Sequence, residues 1–267
     1  MALKLAAVAT VQPTRFEAVA ARENLEQNVR LIRDLGYDGV ELAVRDPSQV
    51  DADAIASLVS ECGLVVPAIG TGQAYIEEGL SFADPQIRRN AIDRIKQHVQ
   101  FAKKFGAQVI IGLIRGTCEK REEQGEALKR VGECLRECAS HGAEHGVALV
   151  LEPLNRYETS LLNNFRQTID FLDEIRAENV GILADSFHMN IEEPSIAESL
   201  QFAGNRIAHV HVADSNREAP GRGHINFAEF VTTLTTIGYD GFYSAEILPV
   251  PDGNTAMADT IGFMRSL

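Results

Sequence analysis

Short apolar runs alternate with longer stretches that carry one apolar face, about eight times along the chain. KLAAVA at 4–9 precedes a helical pattern near 22–35, and GVELAV at 39–44 precedes one near 51–62. VVPAIGT at 65–71 leads through a loop to a long helix at 85–105, and VIIGLIRG at 109–116 leads to one at 121–145. VALVLEPL at 147–154 precedes 164–178, and VGILADSF at 180–187 precedes a short helix near 194–203. IAHVHVAD at 207–214 precedes 227–237, and FYSAEIL at 242–248 precedes 255–266. Gly36, Gly63, Gly106, Gly146 and Gly238 fall between a helix and the next strand, where a residue that accepts a left-handed backbone ends a helix. The stretch 85–105 opens on Pro85 and sets Ile92, Ile95, Val99 and Ala102 at helical spacing opposite a charged face, the pattern of an outer helix packed on strands.

Eight β/α units with no linker and no compositional break predict a single α/β domain over residues 1–267, a closed (β/α)8 barrel with its active site at the C-terminal ends of the strands. A doubly wound open sheet would alternate similarly. No Gly-rich phosphate fingerprint follows the first strand, however, and polar residues gather at many strand ends instead of at one switch point.

Composition narrows the function. The 25 basic and 38 acidic residues give a net charge of −13 with no Lys/Arg run, so the electrostatic footprint of a nucleic-acid binder is missing. The N-terminal MALKLAAVATVQPTRFEAV lacks the pattern of a secretory signal, and no apolar run approaches the roughly 18 residues of a membrane span. Cys62, Cys118, Cys134 and Cys138 form no CxxC pair, so the expectation is a cytoplasmic protein with no membrane partner. Cys134 and Cys138, four apart on a helix, read as small core residues.

Strands buried in a barrel should be apolar, so the informative residues are the ionisable ones that interrupt them. Glu152 in VLEPLNRYE, Asp185 in LADSFHMNIEE, His211 in HVHVAD and Glu246 in SAEIL stand near the C-terminal ends of strands 5 to 8. In a barrel those ends share one mouth, where three carboxylates and an imidazole would repel and desolvate one another unless a cation sat among them. Oxygen-rich ligation with one His suits one divalent ion, Mn²⁺ first and Mg²⁺ or Co²⁺ as alternatives, better than a thiolate zinc site. His209, two residues before His211 on the same strand face, is expected one layer deeper.

The segments EPLNRYE, DSFHMNIEE, HVHVADSNREAPGRG and AEI resemble, in order and spacing, the ketose 3-epimerases of the D-tagatose and D-psicose type, within the xylose-isomerase-like TIM-barrel superfamily. The similarity runs along most of the chain and is specific over the last half. It implies that Glu152, Asp185, His211 and Glu246 bind the metal and that Glu158, His188 and Arg217 contact the sugar near its carbonyl. In the polar loop NREAPGRG, Pro220, Gly221 and Gly223 would shape the turn that delivers Arg217 over the substrate. A homodimer or homotetramer is expected from the resemblance alone. Arg156 is expected to brace the site, and Glu41, Thr71 and Gln73 are candidates for lining its mouth. The loops TGQAYIEEGLSFADP and LIRG depart from the free-ketose pattern, which leaves the sugar open. Arg115, Arg222 and His224 are candidates for holding a phosphate.

Chemistry beside a ketose carbonyl needs a base for a weakly acidic C–H, a donor on the opposite face, and stabilisation of the enediolate between them. Glu152 and Glu246 are expected to be that acid/base pair while also ligating the metal. The alternatives are an aldose–ketose or hydroxypyruvate-type isomerase, which returns the proton to the neighbouring carbon, and a metal-dependent lyase or decarboxylase on a sugar acid. An endonuclease IV-like repair enzyme calls for more strand-end histidines than this chain offers, and a non-catalytic sugar-binding barrel would be expected to lack a ligand or a glutamate.

Overall fold

The computed structural model describes residues 2–71, 74 and 78–267. Eight parallel strands close on themselves in chain order, with the last paired to the first. The strands are β1 (Lys4–Thr10), β2 (Gly39–Ala43), β3 (Ala68–Gly70), β4 (Gln108–Ile111), β5 (Leu149–Leu151), β6 (Val180–Asp185), β7 (Ile207–Val212) and β8 (Phe242–Ala245). Around them lie α1 (Leu25–Asp34), α2 (Ala52–Glu61), α3 (Pro85–Phe105), α4 (Gln124–Glu144), α5 (Phe165–Ile175), α6 (Ser186–Glu192), α7 (Ile196–Ala203), α8 (Phe227–Thr236) and α9 (Gly253–Arg265). Closure through β1 and β8 removes the open-sheet alternative. No described helix is long and apolar enough to cross a membrane.

The predicted elements recur, with every strand except β1 shorter than the apolar run that announced it. The exception is α6, which the reading of 180–187 as one strand absorbed: Asp185 ends β6 and at once caps a new helix, accepting from the amides of Phe187 and His188. The five glycines between helices and strands all have positive φ. Helix α3 buries Ile92, Ile95, Val99 and Ala102, each large aliphatic contributing about 1.5–3 kcal/mol on leaving water. Cys134 and Cys138 lie buried and unpaired in α4.

Most of the apolar core lies between barrel and helices. A separate cluster of Ala68, Ile110, Val150 and Leu183, with Ala208 packed against it, takes one residue from each of β3 to β7 and fills the barrel axis. Side chains two apart on a strand share a face, so the next inward layer toward the C-terminal end is fixed by this cluster: Gly70, Gly112, Glu152 and Asp185. The floor of the mouth is therefore small on the β3–β4 side and ionic on the β5–β8 side.

Two glycines inside helices carry opposite expectations. A Cβ at Gly142 in α4 would lie 2.6 Å from the carbonyl oxygen of Val147, whereas one at Gly262 in α9 meets nothing within 4 Å. Gly262→Ala should stabilise the protein by roughly 0.5–1 kcal/mol, and Gly142→Ala should destabilise it, when both are measured by urea unfolding.

Candidate metal centre and active site

Strand register brings the ionic half of the layer together. Asp185 pairs with His211 across β6 and β7, and His211 pairs with Ser244 across β7 and β8, two residues before Glu246. Glu152 and Glu246 are the residues that directly follow β5 and β8. One ligand atom from each of Glu152, Asp185, His211 and Glu246 lies within 4.8 Å of the others. His211 Nδ1 stands 3.6 Å from both Glu152 Oε1 and Asp185 Oδ2, and 4.0 Å from Glu246 Oε2.

Glu152 Oε1, Asp185 Oδ2, His211 Nδ1 and His188 Nε2 are buried without a hydrogen-bond partner. A buried polar atom left unpaired costs about 1–3 kcal/mol, so several facing one point mark a place built for something else. Three carboxylates and one imidazole fit a hard or borderline divalent cation. Gly112 completes the cradle: a Cβ there would stand 2.9 Å from Glu152 Oε2.

Each donor is aimed by a bond made elsewhere. Asp185 Oδ1 accepts from the amides of Phe187 at 2.7 Å and His188 at 3.1 Å, which turns Oδ2 inward. His211 Nε2 lies 3.0 and 3.2 Å from the two oxygens of Glu41. A carboxylate can only accept there, so a neutral His211 carries its proton on Nε2 and turns its Nδ1 lone pair to the cluster, while Glu41, Asp185 and Glu152 outweigh burial and raise His211 well above its ordinary value. Glu41 also lies 2.7 Å from His209 Nε2, one layer deeper as expected, and Ser244 Oγ lies 3.2 Å from the same nitrogen. Burial alone would raise the Glu41 carboxyl, but His211 and His209 outweigh it and hold it well below the usual carboxylate range. Asp185 is lowered likewise, with His188 and His211 overcoming its burial. Glu246 moves upward, because burial and the neighbouring Glu152 and Asp185 outweigh the pull of His211 and Arg217.

Of the other predicted contacts, Glu158 and Arg217 line the same pocket, and His188 is tied to Glu158 through Asn155. Asn155 Nδ2 donates to His188 Nδ1 at 2.8 Å and to Glu158 Oε1 at 3.1 Å. His188 therefore carries its proton on Nε2, 3.9 Å from Glu152 Oε1 and 4.0 Å from Asp185 Oδ2. Arg217 donates to Glu158 at 2.7 Å and to Glu246 at 3.1 Å, and its guanidinium lies over the rings of Phe16 and Phe187. Its loop is knotted by Asp214, whose carboxylate accepts from the amides of Ser215, Gly221 and Ile225. Gly221 takes φ 92°, and a Cβ at Gly223 would strike Asp214 Oδ1, so both glycines shape the loop as expected.

Several weaker expectations change. Glu41 lines the pocket but acts on the histidines; it interrupts GVELAV by the same signal that picked out Glu152. Arg115 is not an anion site: it is fully buried and donates to the carbonyls of Gly112, Glu152, Leu161 and Leu162. Arg222 is paired with Asp259, and His224 with Ser215. Arg156 braces Glu192 at 2.8 Å on the exposed side of its loop. Thr71 lines the pocket, and Gln73 lies outside the described residues. Asn155 and Asp214 are the positioning residues that the sequence reading assigned no role.

Comparison with known proteins agrees with this geometry. The model of the xylose isomerase-like TIM barrel family matches residues 29–267. A ketose 3-epimerase of Arthrobacter globiformis is 31% identical over 222 residues, covering 82% of this chain and 76% of that protein. A 3-dehydro-D-guloside 4-epimerase of Escherichia coli is 27% identical over 259 residues, covering 91% and 95%. The crystal structure of a D-allulose 3-epimerase from Methylomonas sp. superposes with a TM-score of 0.86 at 24% identity, covering 99% of this chain and 97% of that one, a likeness of fold. The chain belongs to the xylose isomerase-like TIM-barrel family, among the relatives of its ketose 3-epimerases.

Proposed function

We propose that this chain is a divalent-metal-dependent sugar epimerase, a single barrel domain that inverts C3 of a ketose. The observation that carries this reading is the convergence of buried, unpartnered Glu152 Oε1, Asp185 Oδ2 and His211 Nδ1 at the barrel mouth. Glu152, Asp185, His211 and Glu246 hold the ion, with Mn²⁺ the first choice and Mg²⁺ or Co²⁺ the alternatives. When bound, the ion supplies Lewis-acid stabilisation of negative charge on the sugar oxygens.

Glu152 and Glu246 stand three strands apart around the ring, just past the ends of β5 and β8, and flank the space in which the sugar lies. One takes the proton from the carbon beside the carbonyl, and the other returns a proton to the opposite face; the roles exchange in the reverse direction. His188, with Nε2–H turned inward by Asn155, and Arg217 donate to the oxygen on which charge develops. Glu158 orients Arg217 and accepts from a sugar hydroxyl.

The pocket favours an unphosphorylated sugar. Among the described residues lining it, Arg217 is the one Lys or Arg, and its charge is already paired with Glu158 and Glu246. Glu41, Glu152, Glu158 and Glu246 surround it, a field that repels a phosphate dianion. A second reading, inversion of C4 in a 3-keto sugar, is favoured by the nearly end-to-end match with the Escherichia coli 4-epimerase. Both reactions invert a carbon beside a ketone and use the same groups. The four cysteines, all free, support residence in the cytoplasm, and a homodimer or homotetramer is the proposed assembly.

Proton NMR in D₂O with Mn²⁺ decides between the readings: deuterium at C3 of a free ketose, with its C3 epimer, is expected, and the terminal phosphate ester should turn over far more slowly. Deuterium at C4 of a 3-keto glycoside favours the second reading, an aldose product makes the chain an isomerase, and loss of water or CO₂ makes it a lyase. Glu246→Gln and Glu152→Gln should each lower turnover by roughly 10²–10⁴-fold in the same assay while the fold persists by circular dichroism. Chelation should abolish turnover and lower Tm in calorimetry, and added Mn²⁺ should restore both.

A further inference from the structure

A second group of possible metal ligands lies away from the mouth. Helix α4 runs back toward the N-terminal end of β5, so its last turn sits on the barrel face opposite the active site. There His141, Glu144 and His145 follow the spacing i, i+3, i+4, which places all three on one side of a helix. One ligand atom from each lies within 4.8 Å of the others, and the two imidazole rings are 4.3 Å apart between centroids.

The hydrogen bonds around the rings settle which nitrogens are available. His145 Nδ1 lies 2.8 Å from the backbone carbonyl of His141, an acceptor, so His145 carries its proton on Nδ1 and its lone pair on Nε2. The Gln100 side-chain amide donates to His141 Nε2 at 3.1 Å, so that nitrogen also presents a lone pair. Nearby Lys96 is engaged by Glu137 at 2.7 Å. The negative end of the α4 dipole adds attraction for a cation.

We propose that His141, Glu144 and His145 form a surface site for a borderline divalent cation of the Zn²⁺, Ni²⁺ or Cu²⁺ class. Two imidazoles and one carboxylate favour these ions over Mg²⁺ and Ca²⁺, the reverse of the preference at the mouth. Three protein donors on an outer surface leave coordination positions open to water or to another molecule. The Gln100 amide is the group an arriving ion displaces from His141 Nε2.

Immobilised Ni²⁺ chromatography of the untagged, full-length protein tests this, because a resin-bound ion reaches a surface site and not the buried cluster in the barrel. Wild type should be retained and released by imidazole. His141→Ala and His145→Ala should each lose retention with unchanged circular dichroism, while His224→Ala, which removes the exposed histidine near the mouth, should be retained like wild type. Gln100→Ala should need at least as much imidazole for elution as wild type. Flow-through of the wild type, or retention that survives His141→Ala or His145→Ala, overturns the proposal and leaves the epimerase reading untouched.

Discussion

The bond from His211 Nε2 to Glu41 is the constraint around which the mouth of the barrel is arranged. It spans β7 and β2 inside a closed sheet, between two almost fully buried side chains, and it decides which ring nitrogen carries the proton. With that choice made, Nδ1 points at Glu152, Asp185 and Glu246, and three carboxylates that would repel one another gain a common centre. Glu41 in turn is kept ionised by the two imidazoles it receives. Glu41, the two histidines and Ser244 thus form a buried hydrogen-bonded column that ends at the site.

The site is a continuation of the fold. A strand repeats its facing every two residues, so the positions above the apolar plug of Val150 and Leu183 had to point to the axis as well. Placing Glu152 and Asp185 there puts charge in the one layer of the barrel interior that opens to solvent. Gly70 and Gly112 occupy the same layer on the other side, where side chains would fill the space a sugar needs. The division between a small half and an ionic half is written into six strands at one height.

Legibility in the sequence followed the range of the interactions involved. Helix α3 was readable to its end residues because Pro85, its apolar face and Gly106 are local signals. Glu152, Asp185, His211 and Glu246 were readable because an ionisable residue in a buried strand is conspicuous by itself. Glu41 carried the same signal, but its partners lie 168 and 170 residues away, so its task was hidden. Arg115 misled for a similar reason: a guanidinium in a loop looks available until the carbonyls of Leu161 and Leu162, 46 and 47 residues on, are folded against it. Helix α6 escaped because Asp185 belongs to strand and helix at once, leaving no loop between them.

That double membership of Asp185 bears on when the cost of order is met. Its Oδ1 is fixed by two amides as soon as α6 forms, so the rotamer that exposes Oδ2 is chosen during folding and not on arrival of a ligand. Asparagine could keep the cap through its own oxygen but would turn an amide nitrogen inward, and glutamate would reach too far to cap. The position therefore admits one chemistry only, set by two unrelated demands on opposite oxygens of the same carboxylate.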